Sequence, residues 1–216
     1  MKGLLIKDIL NLKNYMKQLI LLSIFFIAYG VFLKNGIFVS TMIALILSMQ
    51  VITTMSYDEY AKWDKYALTM NLTRKDVVLS KYVFFLLSVL AGMIIGLVGS
   101  LLINVFVGGS NSIEEIIVVS AVIPIMFAIL FAILIPMIFK YGAEKARMMM
   151  LMVFFIPAIL VFLVVKIVQK YNIPSPDPTT LDTLIKVLPI IVIVLFVIAC
   201  FISYKISLKI YSKKEF

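Results

Sequence analysis

Long apolar runs separated by short polar breaks form most of this chain. The runs cover about residues 18–33, 37–56, 81–107, 115–139, 148–168 and 184–204. Most reach the roughly 20 residues that a helix needs to cross about 30 Å of hydrocarbon. The short alternating segments of a membrane β-barrel do not occur in the sequence. The pattern therefore predicts an all-α membrane protein with six transmembrane helices in a domain of residues 18–204.

The polar breaks predict how the spans are joined. Asn35-Gly36 interrupts the first apolar stretch and is a strong turn signal, so the first two spans should form a tight hairpin. Glycines at 108 and 109 end the third span. The segment 172–180 contains three prolines and should not be helical throughout.

Residues 1–17 precede the first span and carry their own pattern. Leu5, Ile9, Leu12 and Met16 recur at helical spacing, and lysines lie between them. This spacing predicts an amphipathic helix in the lipid headgroup region. A short solvated basic tail is the alternative interpretation.

The distribution of positive charge predicts the orientation. Segments 1–17, 57–81, 140–147 and 205–216 hold 16 of the 20 Lys and Arg residues. Because cytoplasmic loops collect Lys and Arg, both termini, the tail 205–216 and the loop 57–80 should be cytoplasmic. Anionic membrane lipid is enough to account for the net charge of +9, and no nucleic acid partner is expected.

Several kinds of chemistry are excluded or disfavoured by composition. The chain has no His and one cysteine, Cys200, so a His-ligated metal and an internal disulfide are excluded. No GxxxxGK[ST] loop is present to bind a nucleotide. The acidic residues lie in loops or at the edges of the spans, which argues against an ion-coupled pump. No catalytic residue, cofactor site or metal site is therefore predicted, and an intramembrane enzyme is disfavoured.

The longest polar interval, residues 57–81, is unusual because aromatic residues alternate with charged ones. A helix is predicted from Tyr57 to Leu68, with an exposed ion pair between Asp58 and Lys62. Exposed Trp and Tyr side chains on a charged helix suit either a docking surface or an interfacial anchor. A juxtamembrane loop with anchoring aromatics is the alternative. The aromatics are Tyr57, Tyr60, Trp63 and Tyr66.

A second helix is predicted to begin directly after this interval bends. Thr73 and Asp76 have the spacing of a capping box, in which each side chain bonds a backbone amide of the other residue. The helix that they start should continue through Lys81 into the third span.

The same interval resembles the signature of a subfamily of type-2 ATP-binding-cassette permeases. The family pattern has an acidic pair, a Trp, a Tyr, and then Thr-Leu-Pro, Ser-Arg-Lys and Ser-Lys-Tyr. Asn71 stands where the family usually has Pro, and Thr73 replaces Ser. The matching residues are Asp58, Glu59, Trp63, Tyr66, Thr69, Arg74, Lys75, Ser80, Lys81 and Tyr82. Within the family, the chain is similar to the permeases of phenol-soluble modulin exporters.

This resemblance implies a permease subunit in a bacterial cytoplasmic membrane, paired with a second, identical permease copy in a homodimer. Two separate ATPase subunits would bind ATP and Mg²⁺, and the loop after the second span would be the coupling helix that docks on them. The exported substrate would be an amphipathic cytolytic peptide. The residues to which the resemblance and the pattern together assign coupling are Asp58, Glu59, Lys62, Trp63, Tyr66 and Arg74.

Some residues within the spans are candidates for a substrate cavity. They combine the deepest hydrogen-bonding side chains of the second span with two residues of a Met cluster, and they are Gln50, Thr53, Thr54, Met149 and Met152. Ordinary packing is the alternative for the Met cluster. It is also the favoured explanation for Gly92, Gly96 and Ser100, whose spacing lets helices approach closely.

Two further functions stay open. The chain could be a permease for another hydrophobic substrate, such as an antimicrobial peptide, a drug or a lipid. It could also be a membrane protein that senses amphipathic peptides without transporting them.

Overall fold

The computed structural model of the chain describes residues 2–13, 15–70, 72–108, 112–170 and 178–214, with side chains at all of these except 68, 168 and 178–186. Within these ranges the chain forms nine helices and no strand. The helices are α1 Lys2–Lys13, α2 Met16–Leu33, α3 Gly36–Ser48, α4 Gln50–Tyr60, α5 Trp63–Thr69, α6 Arg74–Val107, α7 Ile113–Tyr141, α8 Ala143–Lys170 and α9 Pro178–Ser212.

Six stretches of the described chain are long and apolar enough to cross a membrane, and α3 and α4 together form the second. The predicted all-α architecture with six spans is confirmed. Of the proline-rich segment, residues 172–177 lie outside the described residues, and residues 178–180 begin α9.

The predicted hairpin between the first two spans is present. Lys34 takes a left-handed conformation with φ of 52°, which ends α2. The Asn35 side chain then accepts a hydrogen bond from the Phe38 amide at 3.2 Å and caps α3. A polar cap and a left-handed residue are the usual means of reversing a chain between two helices.

Close backbone packing joins α3 to α6. A Cβ atom added at Gly96 would lie 2.8 Å from the Ser40 carbonyl oxygen, and one at Gly92 would lie 3.0 Å from Ala44 Cα. The small residues of α6 therefore serve helix packing inside the chain, as expected.

The core lies between α4, α6, α7 and α9. Its most buried side chains include Phe85, Phe131, Leu134, Ile135 and Tyr211. In contrast, α8 has no buried residue in its apolar window and α2 has only 6% of its window buried. These two helices present their apolar side chains outward, as lipid-facing spans do.

Four polar segments meet at one end of the bundle, which we call the polar end. Lys7 of α1 contacts Asp58, and Glu59 accepts a hydrogen bond from the Ala143 amide. Arg74 bonds the carbonyl of Ser212 at the end of α9. The segments that hold 16 of the 20 Lys and Arg residues are therefore neighbours in the structure.

The first helix differs in detail from its predicted form. It ends at Lys13, and Met16 belongs to α2. Ile9 of the predicted apolar face is 57% exposed, so it is available to lipid, and Leu4 beside that face is buried. Asp8 is buried as well, because α1 packs against α4 and α6 through a face that includes this carboxylate.

Candidate functional site: the polar segment between the second and third spans

The segment 57–80, which we call the coupling segment after the role that the sequence resemblance implies for it, is bent where the sequence predicted a continuous helix. The second span continues as α4 to Tyr60, Ala61 and Lys62 form a turn, and α5 begins at Trp63. Lys62 has a left-handed φ of 50°. The prediction of one helix from Tyr57 to Leu68 is therefore wrong.

The contacts of Lys7 explain the bend. In an unbroken helix, side chains five positions apart point about 140° away from each other. With the turn at 61–62, both Asp58 and Trp63 reach the same ammonium group on α1. Lys7 Nζ lies 2.6 Å from Asp58 Oδ1 and 4.4 Å from the centroid of the Trp63 ring.

A cluster of four charged side chains, of which three are buried and Lys7 is half-buried, holds α1, α4 and α6 together. Lys81 Nζ lies 2.6 Å from an Asp58 carboxylate oxygen and 2.7 Å from Asp8 Oδ1. Lys7 Nζ lies 2.6 Å from Asp58 and 3.3 Å from Asp8. Asp8 is 0% exposed, Lys81 3% and Asp58 8%. Two lysines and two aspartates balance one another, which is how buried charge is tolerated.

The predicted ion pair between Asp58 and Lys62 is consequently wrong. Asp58 points into the bundle, toward Lys7 and Lys81. Lys62 is exposed at the bend. An exposed pair on one helix is worth only a few tenths of a kcal/mol, so the buried partners prevail.

The beginning of α6 has the predicted capping box. The Asp76 amide donates to Thr73 Oγ1 at 3.2 Å, and the Thr73 amide donates to Asp76 Oδ2 at 3.1 Å. Arg74 Nη1 also donates to the Tyr211 carbonyl at 3.2 Å and to the Ser212 carbonyl. The first turn of α6 is thereby fixed both internally and to the end of α9.

Two more contacts tie the coupling segment to neighbouring helices. The Tyr211 hydroxyl donates to Asp64 Oδ1 at 3.0 Å, which joins α5 to α9. A Glu59 carboxylate oxygen accepts from the Ala143 amide at the start of α8. Gly142 lacks the Cβ that would overlap this carboxylate, and its φ of 84° favours glycine.

One surface of the coupling segment faces away from the bundle, and we call it the outer face. Tyr60 is 74% exposed, Tyr66 61% and Met70 51%, and Lys62 and Lys65 are exposed beside them. Exposed aromatic and Met side chains are enriched at protein-docking surfaces.

The six predicted coupling residues thus fall into two sets. Glu59, Lys62 and Tyr66 are exposed. Asp58, Trp63 and Arg74 are buried or half-buried and hold the segment against α1, α6 and α9. Sequence reasoning missed Lys7, Asp8 and Tyr211, which complete these contacts. Asp8 could have indicated that α1 packs against a basic partner, because it is the one acidic residue among residues 1–17.

The predicted cavity residues are distributed between the interior and the surface. Gln50 and Thr54 are buried, and their side chains donate to the carbonyls of Ile46 and Val51 on their own helical stretch. Thr53 and Met149 are half-buried, whereas Met152 is 64% exposed on the outside of α8. The structure therefore does not bring all five to one surface.

Comparison with known proteins gives the family. The sequence-family model described as ABC-2 family transporter protein matches residues 3–212 of the chain. No curated protein and no solved structure gave a significant match. Members of this family are the membrane component of ABC transporters, do not themselves catalyse a reaction, and work with an ABC ATPase subunit. With its six spans and a match over almost its whole length, the chain belongs to the ABC-2 family and is a multi-pass membrane permease subunit of an ABC transporter.

Proposed function

We propose that this permease is driven through its coupling segment and exports amphipathic peptides from the cytoplasm of a bacterium. Two copies of the chain would pair, and each copy would bind one ATPase subunit at its outer face. The polar end lies on the cytoplasmic side in this proposal, because 16 of the 20 Lys and Arg residues are in its segments.

The observation that carries the proposal is the continuous link from the outer face to two spans. α4 is the end of the second span, and α6 runs from Arg74 into the third. Asp58 on α4 and Lys81 on α6 are in contact at 2.6 Å in a buried site. A displacement of α5 by an ATPase would therefore act on both spans at once.

Binding of the ATPase and transmission of its movement depend on different residues of this segment. The outer face offers Tyr60 and Tyr66 to a partner, and neither ring is needed for the buried ion cluster. Trp63 is half-buried against Lys7, so its removal would disturb the segment itself. A test of docking should therefore change the two tyrosines and leave Trp63 in place.

The experiment is co-purification of the permease with its ATPase subunit. We expect Y60A/Y66A to lose most of the bound ATPase while folding normally, because exposed aromatic anchors often contribute about 2 kcal/mol or more each at an interface. Y29A is the control, since Tyr29 is a 45% exposed tyrosine on α2. Unchanged ATPase binding by Y60A/Y66A would refute docking at this face.

Residues 58–82 carry the resemblance to the type-2 ATP-binding-cassette permeases, and amphipathic peptide export is proposed from the similarity of the chain, within that family, to the permeases of phenol-soluble modulin exporters. In proteoliposomes containing the permease and the ATPase, an amphipathic helical peptide should stimulate ATP hydrolysis. A scrambled peptide of the same composition should not, because it lacks the apolar face. Stimulation by small drugs or lipids and not by peptides would indicate another hydrophobic substrate. Peptide binding by a chain that recruits no ATPase would indicate a sensor.

A further inference from the structure

A basic groove lies at the polar end between the first turn of α6 and the last turns of α9. The described residues that line it include four cationic and no acidic side chains, and they are Thr73, Arg74, Lys75, Lys205, Leu208, Lys209 and Ser212. The groove is open to the outside of the bundle and is separate from the outer face of the coupling segment.

The positive charge of three lysines in this groove is not balanced by nearby acids. No carboxylate of the described residues lies within ion-pair distance of Lys75, Lys205 or Lys209. The carboxylate of Asp76, on the same turn of α6, is bonded to Thr73 in the capping box. The groove therefore attracts an anion.

The apolar surface next to the groove indicates which anion. On α9, Phe201 and Val197 are 58% and 60% exposed and lie on the turns before Lys205. The ammonium of Lys205 lies 4.4 Å from the centroid of the Phe201 ring. On α6, the 37% exposed Leu79 follows Lys75 by one turn.

Both helices belong to spans, so we expect these apolar side chains to face the lipid chains and the lysines at the ends of the spans to reach the lipid headgroups. We propose that this groove binds the phosphate of an anionic phospholipid, with Lys75, Lys205 and Lys209 around the headgroup. The acyl chains would run along the exposed side chains of α6 and α9.

A free phosphate or an acidic protein surface would match the charge, but neither would use the adjoining apolar face. A bound lipid would stabilise the packing of α6 against α9. Arg74 of α6 already joins the two helices by its hydrogen bond to the Tyr211 carbonyl. This inference is independent of which substrate the permease exports.

The test is native mass spectrometry of the full-length permease in a neutral detergent. Phosphatidylglycerol and phosphatidylcholine with the same acyl chains are titrated separately. We expect the wild type to retain phosphatidylglycerol in preference to phosphatidylcholine, and K205Q/K209Q to weaken phosphatidylglycerol retention roughly fivefold or more. K75Q changes the opposite wall of the groove and should weaken it in the same direction, which gives a second reading if the double variant folds poorly.

K140Q/K145Q is the matched control, since it removes two exposed lysines at the polar end outside this groove. Equal losses in K205Q/K209Q and the control would overturn the proposal in favour of a diffuse surface charge. Displacement of the lipid by an equal concentration of inorganic phosphate would show a free phosphate site instead. Unchanged lipid retention together with lost ATPase binding in K205Q/K209Q would show that the groove binds protein.

Discussion

Replacing Lys81 with Met should severely weaken the polar end of the molecule. Lys81 is 3% exposed and is the one side chain that contacts both Asp8 and Asp58 from α6. Methionine keeps most of the side-chain volume but removes the charge. The variant would leave Lys7 alone to balance two carboxylates in a buried site.

The expected magnitude follows from the geometry. An ammonium and a carboxylate oxygen at 2.7 Å attract by about 6 kcal/mol at an effective dielectric constant of about 20, before desolvation is subtracted. Measured costs of removing one member of a buried ion pair are about 3–5 kcal/mol, because the remaining charge stays buried without its partner. We expect K81M to lose that much free energy of unfolding.

A second substitution separates lost charge balance from lost packing. D8N in the K81M background removes one carboxylate and leaves the pair of Lys7 and Asp58, which are 2.6 Å apart. The double variant should therefore be more stable than the sum of the two single changes predicts, by about 1–3 kcal/mol.

The assay uses a convenient feature of the sequence. The chain contains one tryptophan, Trp63, and it lies against Lys7 at the edge of the ion cluster. Its emission during a titration of a mild-detergent solution with sodium dodecyl sulfate reports on this site directly. K145M is the control, because Lys145 is exposed. The reasoning is refuted if K81M costs no more than K145M, or if the effects of D8N and K81M are simply additive.

Two further predictions concern glycine. G96A should lower the free energy of unfolding by about 1–3 kcal/mol, because its Cβ would lie 2.8 Å from the Ser40 carbonyl oxygen. G99A is the control for thermal denaturation in detergent, since its Cβ would lie at an ordinary 3.6 Å from Val39; equal effects would contradict the packing argument. At the bend, K62G should be more stable than K62V by about 1–2 kcal/mol, because Lys62 has a φ of 50° that a β-branched residue resists. The Trp63 emission titration measures this difference, and no difference would mean that the turn relaxes.

The sequence was informative wherever a local pattern decides the structure. Runs of apolar residues predicted the spans, Asn35-Gly36 predicted the hairpin, and Thr73 with Asp76 predicted the start of α6. The turn and the cap each depend on residues within about three positions of one another, and each apolar run is contiguous along the chain. The family motif in the coupling segment was likewise contiguous along the chain.

Contacts between distant positions could not be predicted in the same way. Asp58 had an ideal local partner in Lys62, yet it pairs with Lys7 and Lys81, which are 51 and 23 positions away. The bend at 61–62 follows from those partners and from the position of Trp63 above Lys7. Neither the spacing nor the helix propensity of residues 57–68 contains that information, because tertiary contacts override local preference.

The dependence of α5 on distant contacts bears on how a load would pass through the coupling segment. A helix of seven residues is not stable in isolation, because too few hydrogen bonds offset the cost of its first turn. Two contacts hold α5 in place. Asp64 accepts a hydrogen bond from Tyr211 of α9, and the Trp63 ring packs against the ammonium of Lys7 on α1. Lys7 is in turn bonded to Asp58, which contacts Lys81 of α6. Moving α5 by itself would break these bonds and remove the contacts that keep it helical. Moving it together with α1, α6 and α9 preserves them, so the lower-energy response to the proposed push on the outer face is a concerted displacement of α1 with the membrane-spanning helices α6 and α9.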